Sequence, residues 1–452
     1  MTVTDRPVPA SAADLVDLFP TGSHLDRDGE LVVGGCRLTD LAERFGTPAV
    51  IVDEAALRAR AREYVRALAA HWPNSQAVFA SKAFPCTAVI RVLTEEGLGV
   101  DVAGGGELAA ALAAGADPAR IVVHGNAKTD EELAMAVEAG AGTIVVDNHD
   151  DIDRLERLVP AGAEQRVLLR VIPEVEADTH AAMATGHRGA KFGLAVPDAV
   201  RAAARLRASD RLRLEGLHAH VGSQLLETAP FTRAVEALGA LGELGEHAVY
   251  DLGGGLGVRY TYDDAPPSVE EYVRALTDAA RAQLPDTARL IIEPGRSLVA
   301  GAALTLYRAV TVKPGPRTLV AVDGGMGDNL EPMLYGQRFE ATVAARAGGG
   351  DPCDLVGRHC ESGDTLIRDV PLRDPRPGDV IAVPVTGAYC YSLSNNYNGA
   401  RRPPVVFCAN GTAHEVVRRE TYEDLLRRDV DVRTDGVDVR AGRVAVRAAR
   451  EA

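Results

Sequence analysis

Eight short apolar runs, each followed by a helix-like stretch, constrain the fold of this chain more than any other feature. The runs lie at residues 76–82, 99–103, 120–125, 142–147, 166–172, 214–221, 248–253 and 289–293. Residues 129–132 and 268–271 have the pattern of a helix capping box, and Gly140 ends the first of these two helices. Eight strand–helix units in succession predict an α/β fold, namely a closed, parallel (β/α)8 barrel.

The rest of the chain predicts a second domain that is rich in β-strands. The run at 49–53 is one strand too many for the barrel, and from about residue 304 short strands alternate with turns rich in Gly, Pro and Asp. The expected organisation is a flexible tail at 1–27, a barrel at 49–303, and a β domain built from 28–48 and 304–445.

Composition excludes several classes of partner. The 452 residues carry a net charge of -15, which argues against nucleic acid or an anionic membrane surface. Residues 1–27 lack the apolar core of a signal peptide, and no apolar run approaches the ~18–20 residues of a transmembrane helix. The six cysteines show no CxxC spacing, so we expect reduced thiols in a cytoplasmic protein.

A lysine stands at the carboxyl end of the first run, in the sequence FASKAFP at residues 79–85. Active sites of parallel barrels lie at this end of the strands. Lys82 can there be desolvated, lose its proton near neutral pH and form a Schiff base with an aldehyde. The alternative for a lone lysine is a surface side chain at a strand end, and the residues at the other strand ends argue against it.

Polar and glycine-rich segments follow several of the other strands. Asp101, His124 and the three glycines at 253–255 come directly after strands, and EPGR follows the eighth. The glycines let backbone N–H groups approach a phosphate, where barrels often bind one, or they form a plain tight turn. They are not a dinucleotide fingerprint, because Val258 stands where the third glycine of GxGxxG would fall.

Two histidines lie two residues apart on the sixth predicted strand. His218 and His220 share one face of the strand, which is also the spacing of a metal pair. A set of further His and Asp ligands is lacking at the later strand ends, so we expect no metal. An imidazole can instead stack on a planar heterocyclic ligand that carries an aldehyde and a phosphate.

Nine short motifs give these observations a common interpretation. In chain order they are FASKAFP, HGNAK, THAAMATG, GLHAHVGSQ, DLGGG, EPGR, VDGGMGDNLEPMLY, HCESGD and GAYCYSLSNNYN. Over roughly residues 28–430 their order and spacing resemble the diaminopimelate decarboxylase family, and VVRRETYEDLLRRD is similar to its actinobacterial members. This pyridoxal-phosphate-dependent family shares fold type III with alanine racemase and eukaryotic ornithine decarboxylase.

The resemblance implies an architecture and an assembly. It implies a barrel that binds pyridoxal phosphate and a C-terminal β-sandwich or β-barrel domain that recruits the N-terminal segment, including the surplus strand at 49–53. It also implies a homodimer with active sites at the interface.

The resemblance further implies roles for individual residues at the cofactor. Lys82 would hold pyridoxal phosphate as a Schiff base, and His220 would stack on its ring. Glu293 would meet the pyridine nitrogen and keep it protonated, so that the ring can accept the electron pair left when CO2 departs. The other cofactor contacts would come from Ser223, Gly254, Gly255, Pro294, Gly295, Arg296 and Tyr397.

The partner subunit would complete each site. Cys360 in HCESGD would return a proton to the α-carbon as general acid, and Glu361 would contact the distal amine of the substrate. Cys360 could instead be a small buried hydrophobe, but a Cys-Glu-Ser-Gly-Asp run is untypical of a core. The other substrate contacts would come from Arg296, Glu331, Tyr335, Tyr389 and Tyr397.

One position departs from the family pattern in a way that bears on the substrate. In VDGGMGDNLEPMLY the family usually has an arginine before the proline, which grips the distal carboxylate of diaminopimelate, and this chain has Glu331. A glutamate would repel that carboxylate by up to about 4 kcal/mol at about 4 Å. Gly104 also replaces a serine often seen in that loop. A neighbouring arginine could take over the grip, the candidates being Arg338, Arg401 and Arg402.

The departure favours a substrate whose distal end is not a free carboxylate. Such a substrate would be an amino acid tethered to an acyl carrier protein in specialised metabolism, or a D-diamino acid. The alternative is an ordinary meso-diaminopimelate decarboxylase of lysine biosynthesis. A racemase or a non-catalytic pyridoxal-phosphate carrier is more remote, because Glu293 suits an electron sink and carriers lack a domain that bears Cys360.

Overall fold

The computed structural model describes residues 15–173 and 191–429. The motif THAAMATG and most of the predicted tail lie outside the described residues. Within this tail, Leu15, Leu18 and Phe19 are buried. We therefore propose that the packed part of the chain begins at Leu15 and not at residue 28.

The predicted barrel is confirmed. Eight parallel strands close into a ring in which each strand pairs with its neighbours in the chain and the eighth pairs with the first. The strands, called the first to the eighth barrel strand, are Ser75–Ala80, Gly99–Val102, Ile121–Val123, Thr143–Val146, Gln165–Arg170, Leu212–His218, Val249–Asp251 and Arg289–Ile292.

Helices alternate with the barrel strands as the sequence predicts. Both predicted capping boxes are present, at Thr129 with Glu132 and at Ser268 with Glu271. The helices around the barrel are Glu54–His71, Thr87–Glu95, Gly105–Ala113, Asp130–Glu138, His149–Leu158, Val196–Ala208, Ala229–Gly239, Val269–Gln283 and Arg296–Val299. Helices elsewhere in the described chain are Leu38–Phe45, Glu331–Tyr335 and Tyr422–Leu426. No helix among residues 15–173 and 191–429 has the length and apolar character needed to span a membrane.

A nine-stranded sheet forms the core of the β-rich part of the molecule. Its strands are Ala49–Asp53, Ala303–Lys313, Thr318–Val322, Thr342–Val343, Pro352–Val356, Thr365–Pro371, Val380–Pro384, Val405–Ala409 and Thr412–Val417. A separate three-stranded antiparallel sheet precedes it at His24–Leu25, Leu31–Val33 and Cys36–Arg37.

The surplus strand lies in this sheet and not in the barrel. Ala49–Asp53 pairs antiparallel with Ala303–Lys313 and parallel with Val405–Ala409. All five of its residues are buried, as expected for a strand covered on both faces. We therefore propose that the barrel unit begins with the helix at Glu54 and not at residue 49.

The interior of the barrel is filled by side chains. One buried cluster there contains Val78, Val122, Val145, Leu168, Val249 and Ile291, all from barrel strands. Because this layer closes the barrel, a ligand can enter only at a mouth, and in barrels that is the carboxyl end of the strands.

Candidate active site

A cavity of about 280 Å³ opens where the barrel strands end. Of the residues assigned to the site from sequence, eight line it: Lys82, His220, Ser223, Glu293, Arg296, Glu331, Tyr335 and Tyr389. These residues span 82–389 in the sequence and come from both the barrel loops and the β-rich part. The fold therefore gathers most of the predicted site into one space.

Lys82 projects into this cavity just beyond the first barrel strand. It lies in a short 3-10 turn, Ser81–Ala83. Burial lowers its pKa, but nearby Tyr389, Asp101 and Glu293 raise it by more, so the pKa lies above the ordinary value. The carboxylates of Asp101 and Glu293 therefore favour the ammonium form of the free side chain, in contrast to the expectation that Lys82 loses its proton near neutral pH.

Glu293, at the end of the eighth barrel strand, is held between two imidazoles. One carboxylate oxygen lies 2.5 Å from Nε2 of His124, and the other lies 3.3 Å from Nε2 of His218. Burial raises the pKa of Glu293, but the two imidazoles lower it by more, so this buried carboxyl stays ionised. Burial lowers the pKa of His218 to about 4, so this ring is neutral. His124 therefore supplies the compensating positive charge.

A second carboxylate, that of Asp101, faces the same nitrogen of His124. Asp101 lies 3.7 Å from Nε2 of His124. Burial lowers the pKa of His124, but Glu293 and Asp101 raise it by more. Burial raises the pKa of Asp101 to about 6, so this group titrates near neutral pH.

Four of the buried groups at the floor of the cavity lie close enough to hold a metal ion. Ligand atoms of His124, His218, Asp251 and Glu293 all fall within 4.8 Å of one another. Burial raises the pKa of Asp251 well above its usual range, and the charge of Glu293 adds to this effect. The raised pKa of Asp251 favours its neutral form, and the His124–Glu293 ion pair balances the charges of those two groups.

His220 is fixed in one tautomer by the glycine-rich turn. The backbone N–H of Gly254 donates to Nδ1 of His220 at 3.1 Å, so the proton of the neutral ring is on Nε2. Burial and the positive charges of Lys82 and Arg170 lower the pKa of His220 well below its ordinary value. A neutral, flat ring with a defined tautomer results.

The glycines at 253–255 are required by close packing of the backbone. A Cβ on Gly254 would lie 2.1 Å from the carbonyl oxygen of Glu293, and one on Gly255 would lie 2.3 Å from that of Gly222. The N–H groups of Gly253 and Gly254 already donate to Asp251 and His220. Of the three predicted phosphate-facing amides, only that of Gly255 remains for a ligand, so its role and that of Gly254 stay predictions.

The turn after the eighth barrel strand places Arg296 in the cavity. Pro294 and Gly295 do not line the cavity and contribute through the backbone: the Pro294 carbonyl accepts from Ala80 N–H at 3.1 Å. A Cβ on Gly295 would lie 3.0 Å from that of Ala80. This turn thus packs tightly on the end of the first barrel strand, next to Lys82.

Glu331 is paired with Arg296 inside the cavity wall. One guanidinium nitrogen of Arg296 lies 3.2 Å from Oε2 of Glu331, and both side chains are buried. The hydroxyl of Tyr260 contacts both partners, donating to Glu331 at 3.3 Å and accepting from Arg296. The Arg296 guanidinium also lies 4.5 Å from the ring centre of Tyr389. Glu331, which stands where the family usually has an arginine, thus forms a buried ion pair with Arg296.

The three arginines suggested as replacements do not line the cavity. Arg338 pairs with Asp263 at 3.3 Å, and Arg402 lies 3.9 Å from Glu420. The guanidinium of Arg401 lies 4.9 Å from the ring centre of Tyr422. None of the three arginines is therefore placed to bind the distal carboxylate of a substrate in the cavity of the same chain.

Cys360, Glu361 and Tyr397 lie outside the cavity of their own chain. Cys360 is exposed, and its N–H donates to Oδ1 of Asn398 at 2.7 Å. Tyr397 is 43% exposed and stacks on His359, with 6.0 Å between ring centres. These three residues lie together on the surface, and the fold of one chain does not bring them to its cavity.

Several lining residues had no role assigned from sequence. They are Asp101, Ala103, His124, Gly125, Arg170, Phe192 and His218. Asp101 and His124 carry the signal of a polar residue at the end of an apolar strand, and Arg170 interrupts the apolar run of the fifth strand. Arg170 lies 4.5 Å from the ring centre of Phe192, a contact between distant residues that sequence spacing does not indicate.

Comparisons with known proteins agree with this geometry. A family described as "Pyridoxal-dependent decarboxylase, pyridoxal binding domain" matches residues 54–300. The diaminopimelate decarboxylase of Actinosynnema pretiosum is 46% identical over 91% of this chain and 95% of its own length. That of Bacillus subtilis is 44% identical over 91% and 98%.

Solved structures give the same result. The crystal structure of diaminopimelate decarboxylase from M. jannaschii in co-complex with L-lysine has a TM-score of 0.85 at 30% identity. It matches 91% of this chain and 98% of that chain. The Helicobacter pylori enzyme with L-lysine has a TM-score of 0.81 at 29% identity, over 86% and 98%.

The residues in the cavity fit pyridoxal phosphate. Lys82 is available for covalent attachment, and Glu293 presents a buried, ionised carboxylate at the cavity. A carboxylate in that state suits a protonated pyridine nitrogen, and the neutral ring of His220 suits stacking. The chain is a pyridoxal-phosphate-dependent carboxy-lyase that belongs to the diaminopimelate decarboxylase family.

Proposed function

We propose that this protein decarboxylates diaminopimelate at an α-carbon. The observation that carries the proposal is similarity along nearly the full length of the Actinosynnema pretiosum diaminopimelate decarboxylase, at 46% identity over 95% of its length. The cavity adds support, because it brings Lys82, Glu293 and Arg296 together at the barrel mouth.

The residues that line the cavity have different roles in the proposed reaction. Pyridoxal phosphate, when bound, supplies the electron sink for the pair released as CO2 leaves. Lys82 would hold the cofactor, and Glu293, kept ionised by His124, would hold a proton on its ring nitrogen. His220 would stack on the ring and restrain it. Ser223 lies 3.4 Å from Nε of Arg296, and the two present a polar edge for phosphate or carboxylate oxygens.

A second candidate function is the decarboxylation of an amino acid that differs from diaminopimelate at its distal end. The buried Arg296–Glu331 pair leaves little net charge where the family grips a carboxylate. This observation favours a substrate without a free distal carboxylate, such as a D-diamino acid or an amino acid tethered to an acyl carrier protein. The relatives support diaminopimelate over both.

Wild-type specificity and one substitution separate the two candidates. We expect the enzyme to use meso-diaminopimelate with a higher kcat/KM than D-ornithine, D-lysine or a carrier-protein thioester. Glu331→Arg removes the anionic partner of Arg296 and adds a second cation, so it should shift the ratio of kcat/KM values towards diaminopimelate and away from D-ornithine and D-lysine, while lowering the stability of the variant. Glu415→Arg, an exposed charge reversal on strand Thr412–Val417, is the control. A wild-type preference of about tenfold or more for another member of the panel would favour the second candidate.

We also propose a homodimer in which Cys360 and Glu361 of the partner subunit complete each site. Exposure of Cys360 beside Tyr397, away from the cavity of the same chain, supports this arrangement. Cys360 of the partner subunit would protonate the α-carbon after CO2 has left. All six cysteines are free of disulfides, which is compatible with action in the cytoplasm.

A further inference from the structure

A second cavity, of about 220 Å³, lies behind the segment that carries Cys360. Its walls come from the loop before strand Ala49–Asp53, the loop after strand Thr318–Val322, and residues 358–359 and 395–401. None of these residues lines the barrel cavity, so the two spaces are distinct.

Three arginines line this second cavity without a carboxylate partner. Arg358, Arg401 and Arg419 form no ion pair with any acidic side chain in the described part of the chain. Arg419 donates to the Pro48 carbonyl at 2.8 Å, and Arg401 stacks on Tyr422. Arginines gathered in excess of the nearby carboxylates repel one another, and a bound anion between them lowers that repulsion.

The two aspartates in the wall neutralise these three arginines only in part. Asp323 accepts from Thr47 Oγ1 at 2.5 Å and from Arg308 N–H at 2.8 Å, and as one carboxylate it offsets at most one of the three arginine charges. Asp328 accepts from Tyr307 at 2.9 Å, and burial raises its pKa to about 7. The cavity therefore keeps an excess of positive charge at neutral pH.

His359 adds a polar atom that lacks a partner. Its Nδ1 lies 2.8 Å from Oδ2 of Asp364, which can only accept, so the neutral ring has a lone pair on Nε2. His359 is 8% exposed, and Nε2 has no hydrogen-bond partner. The cavity wall thus offers arginine donors and one buried acceptor. A hydrogen phosphate group has the matching set, anionic oxygens and one P–OH, whereas sulfate and carboxylate lack the proton.

We propose that this second cavity binds a hydrogen phosphate group, either inorganic phosphate or a small phosphomonoester. The site is separate from the cofactor's and does not depend on which amino acid is decarboxylated. Its occupant contacts Arg358 and His359, which directly precede Cys360, and Asn395 in the loop whose Asn398 accepts from the Cys360 N–H. Binding therefore orders the segment offered to the partner subunit.

Calorimetric titration of the holoenzyme with inorganic phosphate tests this proposal. With the cofactor site already filled, we expect saturable binding of one phosphate per chain. Arg401→Gln should weaken binding by at least about tenfold, since it removes a charge-assisted contact. Arg402→Gln, whose arginine lies next in sequence but pairs with Glu420, should bind as the wild type does. Arg358→Gln serves as a second variant if Arg401→Gln does not fold.

Two comparisons identify the ligand and its effect. Sulfate should bind more weakly than phosphate, and competition by glycerol 3-phosphate would show that a phosphomonoester is accepted. Amide hydrogen exchange of residues 358–364 should slow with phosphate in the wild type and in Arg402→Gln, but not in Arg401→Gln. The proposal is overturned if the holoenzyme shows no saturable binding, if Arg401→Gln and Arg358→Gln bind normally, or if sulfate binds as well as phosphate.

Discussion

Buried carboxylates at the cavity of this protein are each balanced by a specific cationic neighbour. Glu293 stays ionised because His124 lies 2.5 Å away, and Glu331 is paired with Arg296 at 3.2 Å. Removing one member of such a pair leaves an uncompensated charge, typically at a cost of about 3–5 kcal/mol. The local chemistry of each site therefore depends on both members and cannot be judged from either alone.

Asp328 is a buried acid whose protonation should make stability depend on pH. Burial raises its pKa to about 7 in the folded state, against about 4 in an unfolded chain. The folded state thus binds the proton more tightly, so this group's stabilising effect is complete below about pH 4 and is lost as the pH rises to about 7. The difference is about 4 kcal/mol.

Asp328→Asn should remove this loss of folding stability with rising pH. We expect the variant to gain stability relative to the wild type as the pH rises from 4 to 7, measured by urea unfolding of the holoenzyme at several pH values. An unchanged difference between the two proteins across this range would show that Asp328 does not titrate there.

At single positions, sequence predicts residue types better than their partners. Lys82 and the EPGR run at 293–296 stand out as polar residues at the ends of apolar strands, and the family resemblance supplies the expected roles of Glu293 and Arg296. For Glu331 the sequence predicts a repulsive charge, since nothing in the spacing shows that residue 331 meets residue 296. Contacts between distant segments, such as the one between Arg170 and Phe192, need the folded chain.

The turn after the seventh barrel strand packs so closely that a side chain larger than that of glycine does not fit. Gly254→Ala would place a Cβ about 2.1 Å from the Glu293 carbonyl, so the turn after the seventh strand must shift. We expect a loss of about 1–3 kcal/mol in stability and weaker cofactor affinity, because the shift disturbs both His220 and Glu293. Thermal unfolding and cofactor titration measure the two effects.

Gly106→Ala is the matched control for this substitution. Gly106 lies in helix Gly105–Ala113 with no atom within 4 Å of an added Cβ. Alanine there should be neutral or stabilise the protein by up to about 1 kcal/mol. Equal losses in both variants would mean that packing at Gly254 is not the cause.

Elements with strong local signals could be predicted from sequence, and those defined by distant pairing could not. The eight barrel strands and both capping boxes follow from apolar runs and from residue pairs three apart. The strand at 49–53 carries the same local signal as a barrel strand, and only its pairing with 303–306 and 405–408 assigns it to the other sheet.

The whole molecule is expected to work as a dimer, and mixed subunits test this. Lys82→Ala lacks the cofactor lysine and Cys360→Ala lacks the proposed acid, so each homodimer should be inactive. A hybrid dimer has one site with both residues intact, so an equal mixture should recover up to about a quarter of wild-type activity. Activity is measured after subunit exchange, which labelled subunits confirm. Exchange without any recovery would contradict a shared active site.

Covalent attachment of the cofactor and release of CO2, measured on the same samples, test the central claim most directly. Borohydride reduction of the holoenzyme should fix pyridoxal phosphate on the peptide that contains Lys82, and meso-diaminopimelate should yield CO2 and lysine in equal amounts. Lys82→Ala should show neither. Full turnover by Lys82→Ala, or a cofactor-saturated wild type that releases no CO2 from any amino acid, would contradict the account.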